Sequence, residues 1–148
     1  MLGIIFTHNR DELFHLNYLP KLSRLKSTLH LWSMRDLTPI GRNVIVKTSA
    51  LSQLVFLFLV LPNPPDSFIK EVETAIFNFL WSGNPDKIKR LSIINTIDEG
   101  GLKFIHVKSF MNSLKSTWIG RYCDDSTDPW KSFFDLHSAF YGFSSFSL

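Results

Sequence analysis

The sequence predicts a mainly α-helical fold that begins with one N-terminal β-strand, continues into a three-helix bundle and ends in a less regular helical extension. Apolar residues recur at spacings of three and four over long stretches, which is typical of amphipathic helices. Clusters of Pro and Gly separate these stretches. Of the 148 residues, 45% are hydrophobic, which is enough for the core of one ordinary domain.

The N-terminal strand is predicted from the segment LGIIFT at 2–7, which is β-branched and aromatic and precedes a turn, His-Asn-Arg-Asp. No neighbouring segment is suited to pair with this strand. We therefore expect its partner strands in sequence that precedes the chain.

The first helix is expected between residues 13 and 35. Pro20 suits a first helical turn, where its missing N–H costs nothing, so the regular helix should start near Tyr18 or Leu19. One apolar stripe marks its buried face: Tyr18, Leu22, Leu25, Leu29 and Trp32. The neighbouring face is polar and basic: Asn17, Lys21, Arg24, Thr28 and Arg35.

The second helix has Thr38 as its expected N-cap and Pro39 at its first position, and it should run to about Leu59. Its apolar end comprises 14 residues between Lys47 and Pro62, fewer than the roughly 20 that a bilayer crossing needs. We expect a buried helix end and no membrane contact.

The third helix should follow a proline-rich break, with Asp66 as its cap and Gly83 as its stop. Less regular structure is expected beyond it. In order, the pattern predicts a basic connector (84–90), a strand or short helix (LSIINTI), a turn (98–101), a helix (107–122) and a short helix from Asp128 to about His137.

Charge is distributed unevenly along the chain. Six basic residues face one acid over 13–65, a net +5, whereas 122–148 has one lysine and four aspartates, a net −3. This asymmetry favours one surface suited to phosphate groups. The single cysteine excludes an intramolecular disulfide and a multi-cysteine zinc site, and the five histidines lack paired ligand spacing. We expect no metal site and no cofactor, and the start of the chain, which has no basic leader, predicts no secretion.

Residues at the start of the second helix are candidates for phosphate contact. Gly41 leaves room for a close approach, Arg42 offers a bidentate donor, and Lys47 lies farther along the same helix. The simpler interpretation is a surface arginine beside a packing glycine, and the local sequence favours it. Lys21 and Arg24 on the first helix carry two interpretations as well: contacts to a duplex backbone, or a solvated face.

The tryptophans are candidates for stacking on nucleic-acid bases. Trp32 and Trp118, however, share apolar stripes with leucines, and tryptophan is usually buried. We therefore expect these side chains in the core.

The stretch YCDD at 122–125 resembles the Tyr-x-Asp-Asp box that holds the catalytic metals of reverse transcriptases. Two-metal catalysis needs carboxylates from different strands around ions roughly 3.5–4 Å apart. Here a helix end precedes Tyr122, and turn residues follow Asp125. We interpret the two aspartates as solvated acids between two helices, the second of which is capped by Asp128 or Thr127, and we expect no catalytic residue.

Several short motifs occur in a characteristic order and spacing: Leu2-Gly3-Ile4, Trp32, Gly41-Arg42 with Lys47, Phe79-Leu80-Trp81, Gly100-Gly101-Leu102, and Leu114-Lys115 with Trp118. Together they resemble the region that follows the palm in non-LTR (LINE-type) retrotransposon reverse transcriptases. The similarity covers about residues 2–130.

This resemblance implies three regions: the terminal strand of a palm domain (1–8), a helical thumb-like domain (9–83) and a connector-like helical extension (84–148). A thumb binds the backbone of the template–primer duplex, RNA–DNA or DNA, and Gly41, Arg42 and Lys47 match the family's Gly-Arg…Lys pattern. The palm that holds Mg²⁺ has no counterpart in the sequence, so the chain would be a fragment of an RNA-directed DNA polymerase and not an enzyme on its own. It would occur in the cytoplasm and the nucleus.

An alternative from another class is a nonfunctional or repurposed helical protein that binds other proteins. A thumb without its palm exposes the apolar face that would pack there, which favours self-association. Salt distinguishes the two functions, because duplex binding weakens steeply with salt and apolar association does not.

Overall fold

The computed structural model describes residues 3–140, with side chains up to residue 136. This part of the chain is mainly α-helical, as predicted. Its helices are α1 (Arg10–Ser33), α2 (Pro39–Ile45), α3 (Ser52–Val60), α4 (Asp66–Leu80), α5 (Arg90–Ile94), α6 (Val107–Tyr122) and α7 (Pro129–Phe140). A π-helical turn, Val46–Ala50, joins α2 to α3, and a 3-10 turn, Ile97–Glu99, follows α5.

Two compact units make up the chain, Met1–Lys115 and Ser116–Leu148. In the first unit, α1 packs against α3, the π turn and α4 around one hydrophobic core. The unit extends past the expected boundary at 83/84, because Ile93, Phe104 and Val107 are buried in the same core. The most completely buried side chains of this core include Tyr18, Leu25, Leu54, Leu57, Phe58, Val72 and Ile76.

The predicted N-terminal strand is wrong for the described residues, since 3–7 pair with no strand; Leu2 lies outside them. The side chain of Asn17 takes the place of a neighbouring strand. Its Oδ1 accepts from the Ile5 N–H at 2.9 Å, and its Nδ2 donates to the Ile5 carbonyl at 2.8 Å. Nδ2 also donates to the Leu13 carbonyl at 2.8 Å. One buried amide therefore satisfies both backbone groups of Ile5, as a neighbouring strand would have done.

Helix α1 begins at Arg10, well before the predicted start near Tyr18, so Pro20 lies in its interior and not in its first turn. The Asn9 side chain caps this helix by accepting from the Asp11 N–H at 2.9 Å. Two acidic residues follow in the first turn, where they favour the positive end of the helix dipole.

Packing of the early turns of α1 offsets the effect of Pro20, which costs about 3 kcal/mol in a helix interior. The rings of Phe14 and Tyr18 lie 5.7 and 5.2 Å from the ring of Phe68 on α4. Burial of one such side chain contributes about 1.5–3 kcal/mol. The full burial of Tyr18 and the partial burial of Phe14 are therefore comparable to the cost of the proline.

The second predicted helix is confirmed at its start and divided in its middle. Thr38 Oγ1 accepts from the Gly41 N–H at 3.2 Å, as expected of the N-cap. In the π turn, the Leu51 N–H donates to the Val46 carbonyl at 2.9 Å, and the two halves meet at 46°. The bend lets α2 pack against α4 while α3 packs against α1. Within residues 3–140, no single helix is long and apolar enough to cross a membrane, and only this bent pair passes that test together.

Helix α4 ends at Leu80, three residues before the predicted stop, Gly83. The φ angle of Gly83 is +76°, and its N–H donates to the Asn78 carbonyl at 2.8 Å, the usual glycine motif at a helix C-terminus. Asp66, the expected cap, lies one position farther, in the first turn after Pro65. Its carboxylate accepts from Lys108 Nζ at 2.9 Å, and this bond holds the pKa of Asp66 below its usual range.

The segment LSIINTI forms the short helix α5 and part of the 3-10 turn, so the helical alternative is correct. The chain then folds back on α5, where the N–H groups of Leu102 and Phe104 donate to the Ile93 carbonyl at 2.9 and 3.1 Å. Gly101 is required there, because a Cβ would lie 2.1 Å from the carbonyl oxygen of Asn95. Residues 101–104, which we name the return segment, are thus fixed against α5.

The second unit contains the end of α6 and the whole of α7. Helix α7 starts directly after Asp128, as predicted, and continues to Phe140, past the expected end near His137. The indole rings of Trp118 and Trp130 pack edge to face, with centroids 5.9 Å apart. Trp118 is 38% exposed, so it packs less completely than a core position predicts.

Candidate nucleic-acid interface

Arg42 is buried, with 6% of its surface exposed. Its Nη1 donates to the Phe79 carbonyl at 2.7 Å and its Nε donates to the Leu37 carbonyl at 3.1 Å. The guanidinium carbon also lies 5.1 Å from the centre of the Phe79 ring. Phe79 is in the last turn of α4, where unpaired carbonyls and the negative end of the helix dipole attract a cation. Arg42 therefore fastens α2 to the C-terminal end of α4.

Arg42 also lines an open pocket between the C-terminal ends of α1 and α4. His30 and Ser33 line this pocket from α1, and Asn78 and Gly83 line it from the end of α4. Helix C-termini present carbonyl groups and negative dipole ends, which disfavour a phosphate. The hydrogen bonds that the Arg42 guanidinium makes are to carbonyl groups. A contact between Arg42 and a phosphate stays a prediction.

Gly41 is half-buried in the first turn of α2. A Cβ at this position would meet Thr38 Oγ1 at 3.6 Å and Leu37 Cδ2 at 3.8 Å, which are ordinary van der Waals distances. The fold therefore does not require glycine here. The expectation that Gly41 allows a close approach of a phosphate stays a prediction.

Lys21 and Arg24 lie on the edge of α1 that borders α3. Thr28 lies on the same edge, one helical turn after Arg24 and two after Lys21, and its Oγ1 accepts from Gln53 Nε2 of α3 at 3.0 Å. Lys21 is half-buried and Arg24 is exposed. Within residues 3–140, neither side chain forms an ion pair with a carboxylate. Both charges are therefore available to an external anion.

Lys26 has the opposite environment although it belongs to the same helix. It lies on the edge of α1 that faces α4, and its Nζ is 2.5 Å from a carboxylate oxygen of Glu71. Lys26 and Lys70 line one shallow groove between α1 and α4. On α1, the lysine that faces α4 is thus paired with a carboxylate, whereas Lys21 and Arg24, on the edge that borders α3, have no such partner among the described residues.

Lys47 is half-buried in the π turn, where it lies near Lys103. Burial lowers the pKa of the Lys47 amino group, and the charge of Lys103 lowers it further. Asn43, one turn before Lys47, donates through Nδ2 to the Leu102 carbonyl at 2.6 Å, which holds α2 beside the return segment. Lys103 was not predicted as a site residue from the sequence, because it is distant from Lys47 along the chain and belongs to no recognisable motif.

The YCDD stretch lies at the end of α6 and in the loop before α7. Cys123, Asp124 and Asp125 are exposed, as expected of solvated residues between two helices. The Tyr122 hydroxyl donates to the Asp135 carboxylate, which raises the pKa of Tyr122. Among the described residues, no group of three or more His, Cys, Asp or Glu side chains is arranged to hold a metal ion.

The remaining tryptophans occupy two environments in the first unit. Trp81 is 8% exposed and belongs to the core, as expected. Trp32 is half-buried, and the Arg35 guanidinium carbon lies 4.6 Å from the centre of its ring. The exposed side of Trp32 is thus covered by a cation and not presented as an open stacking surface.

Comparison with known proteins assigns no family to this chain. No protein-family model matches its sequence, and no solved structure gives a significant match to its fold. The resemblance to LINE-type reverse transcriptases therefore depends on the order and spacing of the sequence motifs alone.

Proposed function

We propose that this chain binds the sugar–phosphate backbone of a nucleic-acid duplex, as the thumb region of a non-LTR (LINE-type) retrotransposon reverse transcriptase does. One observation carries the proposal: Lys21 and Arg24 lie together on one edge of α1, and no carboxylate among the described residues pairs with them. The order of the sequence motifs supports the assignment to this family.

Helix α1 suits the role of a rigid support for such contacts. It is 24 residues long and packs against α3, the π turn and α4, so its basic edge is held by a continuous core. Lysine and arginine on such an edge contact phosphates irrespective of base sequence. A duplex held in this way stays positioned for chemistry that another domain performs. In the proposed role that domain is the Mg²⁺-dependent palm, and the protein acts in the cytoplasm and the nucleus.

The test compares two double variants that lose the same formal charge. Lys21→Ala with Arg24→Ala removes the basic edge of α1. Lys26→Ala with Lys70→Ala is the control, because those residues line the groove on the other side of α1. Binding of a fluorescently labelled RNA–DNA hybrid duplex is measured by anisotropy across a salt series, with a DNA duplex alongside.

We expect wild-type affinity to fall linearly with the logarithm of salt concentration. The slope should decrease by about 2 in the Lys21/Arg24 variant, about 1 for each lost phosphate contact, and stay unchanged in the control. Equal losses in both variants would show that net charge alone attracts the duplex. A wild-type protein that fails to bind at low salt would refute the function.

A second candidate function, protein binding through an apolar surface, is favoured by the second unit. Ile119, Phe133 and Leu136 are 66%, 70% and 72% exposed, and exposed large apolar residues are typical of interaction surfaces. Sedimentation across the same salt series distinguishes this function, because apolar self-association persists at high salt. Leu136→Ser should reduce it, and a monomer at all salt concentrations would exclude it.

A further inference from the structure

The fold brings together two lysines that are distant in the sequence. Asn43 Nδ2 donates to the Leu102 carbonyl at 2.6 Å, so one side of α2 is fixed to the return segment. Lys47 follows Asn43 by four residues and projects from the same side of the helix. Lys103 follows Leu102 directly. The bond between Asn43 and Leu102 therefore brings the segments that carry Lys47 and Lys103 together, and the charge of Lys103 acts on the Lys47 amino group.

The two lysines bring positive charge together without a compensating negative charge. Their charges repel each other, and the partial burial of Lys47 removes part of its hydration. In the part of the chain that the structure describes, neither lysine forms an ion pair with a carboxylate. A bound anion would relieve both the repulsion and the lost hydration.

Lys103 is also held in a defined position. Its φ is +51°, in the left-handed region that lysine rarely adopts. Hydrogen bonds on both sides maintain this conformation: the Lys103 N–H donates to the Asn95 carbonyl at 2.8 Å, and Leu102 and Phe104 are both bonded to Ile93. A strained residue fixed by its neighbours is typical of a preorganised binding position.

We propose that Lys47 and Lys103 together hold one phosphodiester group of the bound duplex, which we name the lysine clamp. The inference rests on the proposed function and adds to it a residue, Lys103, and a segment, 95–104, that the α1 edge does not include. A phosphodiester suits the clamp because its two unbridged oxygens carry one shared negative charge and can each accept from one ammonium group. The contact would be independent of base sequence.

The test uses substitutions that the backbone at Lys103 accepts. Lys103→Asn removes the charge and tolerates a positive φ, Lys103→Gly does the same without a side chain, and Lys103→Arg keeps the charge. Lys47→Ala removes the other half of the clamp. Lys70→Ala is the control, because Lys70 is an exposed lysine on α4 whose loss changes the net charge equally.

Binding of the RNA–DNA hybrid across a salt series should separate these variants. We expect Lys103→Asn and Lys103→Gly to weaken binding about fivefold at low salt and to lower the salt slope by about 1. Lys103→Arg should bind like the wild type, as should Lys70→Ala. Because both lysines hold one phosphate, combining Lys47→Ala with Lys103→Asn should cost less than the product of the single effects.

Three results would overturn the clamp. If Lys103→Asn and Lys103→Gly bind like Lys70→Ala while the Lys21/Arg24 variant still loses affinity, the duplex-binding function stands and the clamp does not. If the double variant equals the product of the single effects, the two lysines contact separate phosphates. If the wild type binds no duplex at low salt, both the function and the clamp are refuted.

Discussion

Substitution of Arg42 should reduce stability far more than it alters phosphate contact. Arg42→Ala removes the donors to the Phe79 and Leu37 carbonyls, at 2.7 and 3.1 Å. The Phe79 carbonyl then keeps a longer backbone contact, from the Ser82 N–H at 3.3 Å. A hydrogen bond to a charged group contributes about 1.5–3 kcal/mol. Two such bonds give an expected loss of about 4 kcal/mol, within the range of about 3–5 kcal/mol for breaking a buried charged contact. This is a large share of the 5–15 kcal/mol typical of a domain.

Urea unfolding, followed by circular dichroism, measures this loss. With a slope of about 2 kcal/mol per molar urea, the Arg42→Ala midpoint should fall by about 2 M. Arg42→Lys should lose about half as much, because one ammonium group cannot bridge both carbonyls as the planar guanidinium does. Arg24→Ala is the matched control, since Arg24 is exposed and unpaired, and its midpoint should change by less than about 0.3 M.

An unchanged midpoint for Arg42→Ala would refute the structural role. In that case Arg42 would be free to contact phosphate, and Arg42→Lys should preserve duplex binding. The distinction also affects any binding experiment, because a destabilised Arg42 variant would lose affinity through unfolding. Binding tests are therefore better made at the exposed or half-buried residues Lys21, Arg24 and Lys47.

Three further substitutions test other parts of the fold. Tyr18→Phe should cost about 1–2 kcal/mol in urea unfolding, because the Tyr18 hydroxyl donates to the Pro62 carbonyl at 2.9 Å in a buried position; no change would mean that this carbonyl has another donor. Gly101→Ala should cost about 3 kcal/mol or more, since the Asn95 backbone would have to move, and a neutral effect would contradict the fold of the return segment. Lys47→Met should raise the melting temperature at pH 7 while weakening duplex binding. Because the pKa of Lys47 is lower in the folded protein than in the unfolded chain, its positive charge reduces the free energy of unfolding at pH 7. In the wild type this loss of stability disappears as the pH rises through the pKa values of Lys47. The variant has no charge at this position and lacks the loss at every pH.

The helix boundaries that the sequence predicted are those set by nearby residues. The Thr38 cap, the stop at Gly83 and the helix at 107–122 each depend on side chains within a few positions of the boundary. The prediction of a strand in the N-terminal segment was wrong because a β-branched composition is compatible with any extended backbone. Whether such a segment forms a sheet depends on what supplies its hydrogen bonds, and here the Asn17 amide bonds to both backbone groups of Ile5 at the centre of the segment.

The start of α1 and the position of the π turn could not be predicted from the sequence either. Pro20 favours a helix start locally, but the contacts of Phe14 with α4 extend the helix to Arg10. The regular apolar pattern after Thr38 predicts one continuous helix, and nothing local marks Val46–Ala50 as a bend. The bend follows from packing, since α2 contacts α4 and α3 contacts α1.

For the candidate site, the sequence by itself determined which residues carry positive charge and that few acids accompany them over 13–65. Only the tertiary structure decided which of those charges face solvent. Arg42 is enclosed because the C-terminal carbonyls of α4 meet it, whereas Arg24 stays exposed on an edge without acids. Lys103 became a candidate only because the bond between Asn43 and the Leu102 carbonyl holds its segment against α2. Charge is a property of a residue type, but exposure and proximity depend on contacts between segments that are distant in the sequence.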